Sequence, residues 1–183
     1  MIGEKLESFD LQLFKDAIKF FSAALNISES KIPLQVKIVD NLGTGNVAGV
    51  CTANLHPDGG VSDLLIEIKS GITIFGMIEA LAHEMCHAEQ FISGKLNFRK
   101  EKKYLFGLIP FWQRVKRWKS TDIAVSDYYS NPAEVEAFIK QRAYTLEFFK
   151  SVEDRLMPKS VFNHIMREHK DAPSFISHLD MND

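Results

Sequence analysis

Residues 83–87 read His83-Glu84-Met85-Cys86-His87, two imidazoles four positions apart with a carboxylate directly after the first. Positions i and i+4 of a helix share a face, so both histidines can offer a ring nitrogen to a single metal ion. Glu84 would stand beside the same ion, placed to take a proton from a water that the ion activates. The chemistry implied by this spacing is hydrolysis. Three fixed residues recur by chance in roughly one chain of this size in a hundred, so the weight falls on the elements that would position them.

Those elements are readable. Across residues 72–92 the apolar side chains Phe75, Ile78, Leu81, Ala82, Met85, Ala88, Phe91 and Ile92 recur at steps of three and four, the pattern of one buried helix face. Gly71 precedes the run and Gly94 follows it, where a C-terminal cap belongs. The motif therefore sits mid-helix. A tetrahedral catalytic site needs a third protein ligand and an open position. The continuation H-E-x-x-H-x-x-G-x-x-H fails, because Ala88-Glu89-Gln90-Phe91-Ile92-Ser93 follows His87. A downstream helix remains: Pro132 suits a first turn, Val135, Phe138, Ile139, Arg142, Leu146 and Phe149 continue with helical spacing, and Glu134 and Glu136 lie within it. These two glutamates are about 200° apart around the helix axis, so only one can face the ion.

Ala82-His83-Glu84-Met85-Cys86-His87-Ala88-Glu89-Gln90 followed by Tyr128-Tyr129-Ser130-Asn131-Pro132-Ala133-Glu134-Val135-Glu136-Ala137 resembles the small zincin-type metallopeptidases found in phage and bacterial genomes. The likeness covers roughly residues 34 to 150. It implies a zincin-like α+β domain with Zn2+ as cofactor, a peptide or protein substrate, and a third ligand from the later helix. Laid on the thermolysin-like pattern, Glu134 takes the ligand position, with Glu136 as the alternative. Phe138 then stands where that pattern carries an acid able to hydrogen-bond a ligand histidine. Residues 81–88 also resemble SprT-like domains, whose third ligand is a histidine. His164, His169 and His178 lie in a different setting, which favours the glutamate. The resemblance further implies that a strand beside the motif helix holds an extended peptide, with residues 61–68 as the candidate.

Length and composition agree with a single domain over 1–183. At 183 residues and 45% hydrophobic content the chain can bury a sizeable core without disulfides or a structural metal, so the metal is read as catalytic. Cys51 and Cys86 belong to no C-x-x-C pair, which points to a reducing compartment, and Cys86 is read as a small core thiol. The N-terminus lacks the basic start and apolar run of a signal peptide, and no apolar run approaches membrane-spanning length. Cytoplasmic residence is the expectation.

The remaining elements predict an α+β arrangement with a small, mainly antiparallel sheet packed on the motif helix. Leu11, Phe14, Ile18, Phe21 and Leu25 mark an amphipathic first helix after a cap at Ser8 or Asp10. Strand-like runs at 34–39, 47–53 and 61–68 are separated by turn chemistries at 41–46 and 56–60. Gly43 and Gly45 lack the lysine and helix of a phosphate loop, and His56 reads as a turn residue. Residues 159–170 and 173–179 read as short C-terminal helices.

Between the two ligand helices lies a basic aromatic insertion at 95–126. Lys95, Arg99, Lys100, Lys102, Lys103, Arg114, Lys116, Arg117 and Lys119 face Glu101 alone, in a chain whose net charge is -2, so the remainder is markedly acidic. Phe98, Tyr104, Phe106, Phe111, Trp112 and Trp118 are interleaved with these cations. Such a segment fits three roles: a solvated charged face whose aromatics close over the cleft as a lid, a track for a nucleic-acid backbone that stacks bases, or a surface that lies on an anionic membrane. The expected function is a zinc metallopeptidase with His83, His87 and Glu134 as ligands and Glu84 as general base. Tyr128, Tyr129, Arg142 and His164 are candidates for stabilising the oxyanion. The alternative is a nucleic-acid-associated binding protein whose metal site is structural or vestigial.

Overall fold

Pro57-Asp58 reverses the chain between two strands: the His56 N–H donates to the Gly60 carbonyl at 2.8 Å, and Asp58 Oδ1 accepts from the Gly60 N–H at 3.0 Å. This turn organises the sheet in a computed structural model of the chain, which describes residues 8–42, 47–58, 60–105, 109–118 and 131–156. The order is α1 (Ser8–Ala24), a 3-10 turn (Ile27–Glu29), β1 (Leu34–Val39), β2 (Gly49–Leu55), β3 (Val61–Lys69), α2 (Ile74–Ile92), β4 (Leu96–Leu105), β5 (Ile109–Trp118) and α3 (Pro132–Leu156). The chain is thus α+β. The segments read as C-terminal helices, together with Tyr128, Tyr129 and His164, lie outside the described residues.

The three-stranded sheet is mixed, with order β1-β3-β2, where the turn signals predicted an antiparallel one. The hairpin gives one edge of β3 to β2, so β1 takes the other. Since only β2 reverses the chain between them, β1 and β3 run parallel. The Leu64 N–H donates to the Pro33 carbonyl at 2.8 Å and the Ser70 N–H to the Val39 carbonyl at 2.7 Å, fixing both ends of that pairing.

Register sorts side-chain size across the sheet. Leu34, Val36 and Ile38 pair with Leu64, Ile66 and Ile68, and these pair in turn with Ala53, Cys51 and Gly49. The large residues of β3 are fully buried, and each contributes about 1.5–3 kcal/mol by leaving water. The small residues of β2 let α2 approach closely over that edge.

Thr73 caps α2, its hydroxyl oxygen accepting from the Gly76 N–H at 3.1 Å, and Gly94, at φ +71°, ends it. From Ala80 to Ala88 every residue is buried, because α2 lies between the sheet on one side and α1 and α3 on the others. The rings of Phe20, Phe21, Phe148 and Phe149 tie α1 to α3, with centroids 5.4–5.7 Å apart, and Phe75 of α2 stacks on Phe149 at 5.2 Å. Cys86 lies in this core, its thiol pushed up to about 12 by burial. Among the described residues no helix is long and apolar enough to cross a membrane.

In its first turns α3 differs in phase from its expected stripe, whereas Phe149 at the far end of that stripe is buried. Val135 and Phe138 are exposed, while Ala133, Ala137, Thr145, Phe148 and Val152 are buried. Apolar periodicity alone selected the larger side chains. In the fold the two alanines turn inward, because only a small-residue face lets α3 come close enough for Glu134 to reach α2. The described part of the basic insertion forms an antiparallel ladder from Leu96↔Trp118 to Leu105↔Ile109, in whose register Lys100 pairs with Arg114 and Phe98 with Lys116, while residues 106–108 and 119–126 lie outside the described residues.

Candidate metal-binding site

Three side chains from two helices meet at one point. α2 supplies His83 and His87 from consecutive turns, and α3 supplies Glu134 from its first turn. That turn is set by Asn131, whose side-chain oxygen accepts from the Ala133 N–H at 3.0 Å, and by Pro132 in the first helical position. His83 Nε2 lies 3.1 Å from His87 Nε2 and 3.1 Å from Glu134 Oε2, which is 3.3 Å from His87 Nε2. All three residues are buried.

The triangle has a chemical meaning. Donors about 2.0–2.1 Å from a tetrahedral ion are separated by roughly 3.3–3.4 Å, so these atoms lie within a few tenths of an ångström of three corners of such a tetrahedron. Two imidazole lone pairs and a carboxylate oxygen this close repel unless a proton or a cation stands among them. The set can therefore hold a metal ion, as the sequence predicted for His83, His87 and Glu134.

Titration reflects the same crowding. Burial alone raises the Glu134 carboxyl, yet hydrogen bonds from His83 and His87 and their charge outweigh it and hold the group well below the usual carboxylate range. At His87 burial lowers the pKa, but the hydrogen bond to Glu134 and the charges of Glu134 and Glu84 prevail and raise it.

Glu136 is turned away from the triad. Its carboxylate accepts from Lys95 at 2.9 Å, and Lys140 lies 2.8 Å away; Lys95 and Lys140 also reach Glu89 at 3.5 and 3.3 Å. Burial raises its pKa less than the bonds to Lys140, Lys95 and Gln90 lower it. The two glutamates are thus divided as the helix angle requires, with Glu134 inward.

Two glutamines support the histidines: Gln90 stood in the sequence motif with no role given to it, and Gln141 was not singled out at all. His83 Nδ1 lies 3.1 Å from Gln141 Oε1, and His87 Nδ1 lies 2.9 Å from Gln90 Oε1. Their signal is spacing: Gln90 stands three residues after His87, and Gln141 seven after Glu134 on the same helix face. Phe138, where the resemblance placed an acid, instead lays its ring 4.7 Å from that of His83. The hydrogen-bonding duty passes three residues along, to Gln141.

His83, Glu84 and Gln141 open onto a cleft of about 480 Å³, walled by Val47, Ala48, Gly49, Ile72, Ala80 and Phe138, with Glu79 also lining it. Burial raises the Glu79 carboxyl, with Arg142 opposing. Glu84 reaches the cleft because Gly49 has no side chain: a Cβ there would lie 2.8 Å from Glu84 Cγ and 3.2 Å from its Oε1. The strand beside the cleft is β2. The predicted substrate strand, 61–68, is β3, whose backbone is paired on both edges and has none to offer a peptide. Among the described residues β2 is paired only with β3, so it is the sheet's edge at the site. Compared with family models, curated proteins and solved structures, the chain matches none.

Proposed function

We propose that this protein is a zinc-dependent peptidase, with His83, His87 and Glu134 as metal ligands and Glu84 as general base. The observation that carries this reading is the convergence of two neutral-capable imidazoles and one carboxylate on a tetrahedral triangle that opens, through His83 and Glu84, onto a cleft. Structural zinc sites are closed by four protein ligands, whereas catalytic ones have three and keep a position open. Zinc held there supplies the polarisation of a carbonyl oxygen and the lowering of a water's pKa.

The chain's own residues do the rest. Glu84, one residue after the first ligand and held in the cleft wall beside Gly49, accepts the proton of the attacking water and returns it to the leaving amine. Glu134 offsets the cationic charge within the triad. The edge of β2 gives an extended peptide a strand to pair with, and the apolar cleft wall excludes water around the reacting bond. The zincin likeness of the motifs at 82–90 and 128–137 supports the same reading.

Elemental analysis of the purified protein tests the metal, and hydrolysis of a mixed peptide library tests the chemistry. Glu84→Gln should retain zinc while losing on the order of 10²-fold or more of the turnover. A protein without stoichiometric metal, or a Glu84→Gln variant with native turnover, would overturn the proposal.

A further inference from the structure

Gln90 is fully buried, and its side-chain nitrogen lies 3.0 Å from the Ala133 carbonyl oxygen and 2.9 Å from Glu136 Oε2. A backbone carbonyl and a carboxylate only accept hydrogen bonds, so the amide must turn its NH2 toward them. Its oxygen is thereby committed to the opposite side, where His87 Nδ1 stands 2.9 Å away. An amide oxygen also only accepts, so Nδ1 must carry the hydrogen. A neutral His87 then has its lone pair on Nε2, the atom facing His83 and Glu134.

We infer that Gln90 is a positioning residue: it reads the backbone of α3 next to Glu134 and converts that contact into the ring orientation and tautomer that His87 needs to bind a metal. Ala133 precedes Glu134 directly, so the bond that orients the glutamine also fixes where α3 begins against α2. Glu136, clamped between Lys95 and Lys140, holds the second NH of the same amide. The ionic cluster at Glu136 and the triad are thus consecutive links, joined through one neutral side chain. A leucine or methionine of similar volume would fill the space without committing the ring. A glutamate would still accept from His87 Nδ1–H, but it would lose both donors and face Glu136.

The inference rests on the metal-binding reading of the triad for its affinity arm, whereas its tautomer arm stands without it. Two variants, Gln90→Met and Gln90→Glu, are compared with the unaltered protein in zinc titrations against a chromophoric chelator. The His87 ring is assigned by long-range 15N–1H NMR of the metal-free protein at alkaline pH. The expected result is an Nδ1–H ring in the unaltered protein and in Gln90→Glu, loss of that preference in Gln90→Met, and 10–100-fold weaker zinc binding in Gln90→Met. Gln90→Glu should keep zinc affinity within a few-fold while its thermal midpoint falls, a separation that a merely structural role does not produce. An Nε2–H ring in the unaltered protein, or native zinc affinity in Gln90→Met, would overturn the inference. A protein that binds no zinc but shows the Nδ1–H ring lost in Gln90→Met would sink the proposed function and leave the positioning role standing.

Discussion

Gly49→Ala should separate the base from the metal. The new Cβ would stand 2.8 Å from Glu84 Cγ, 3.0 Å from Ile68 Cδ1 and 3.2 Å from Glu84 Oε1. Carbon atoms rest comfortably at about 3.5–4.0 Å, so Glu84 must retreat by roughly 1 Å, since Ile68 is fully buried and has little room to yield. A misplacement of about 1 Å at a reacting group costs on the order of 10²-fold in rate. Overpacking of this kind destabilises by about 1–3 kcal/mol, and each kcal/mol lowers the thermal midpoint by roughly 2–4 °C in a chain of this length. Metal content should not change, because no ligand is touched. The assay pairs peptide turnover with elemental analysis and a melting curve on the same preparation. Native turnover in a folded, metal-replete Gly49→Ala protein would refute the placement of Glu84 as base; loss of metal along with activity would refute the claim that the strand edge acts on the base alone.

Glu134→Gln should weaken zinc binding far more than Glu136→Gln, which reaches the triad only through Gln90; chelator competition gives the ranking, and the reverse order would move the ligand two residues. In metal-free protein the raised His87 pKa contributes stability that is complete below its ordinary value of 6.5 and is lost as pH rises through the folded value, while the depressed Glu134 pKa contributes stability present above its ordinary 4.5 and lost as pH falls through the folded one. The thermal midpoint of the chelated protein should therefore peak between about pH 4.5 and 6.5, and a midpoint that climbs from there toward pH 8 would contradict the pairing. The β4–β5 ladder carries most of the cations of the basic insertion, a charge that an anion would answer. If that anion is single-stranded nucleic acid, affinity should fall log-linearly with salt and the slope should flatten in Arg114→Gln/Lys116→Gln/Arg117→Gln. Weak, salt-independent binding would return the ladder to the role of a lid.

His83, Glu84 and His87 were legible in the sequence because their relation is local: a helix period converts four residues into one face, and no distant contact is needed to say so. The same period excluded a shared role for Glu134 and Glu136. Which one turns inward follows from Ala133 and Ala137, whose small faces let α3 approach α2, a packing fact that a search for large apolar residues reads in the wrong phase. Strand positions were visible as alternating runs, yet the direction of β1 and the central place of β3 depended on which edge the β2 hairpin occupied. That choice moved the open edge of the sheet from 61–68 to β2. Gly49 became meaningful only when Glu84 was found against it, and Gln90 and Gln141 only when their amides were found against the histidine rings. Helical spacing determines which side chains of one element can act together; what supports them across 40 or 50 residues of chain is decided by packing, where the size and hydrogen-bonding sense of each neighbour is felt.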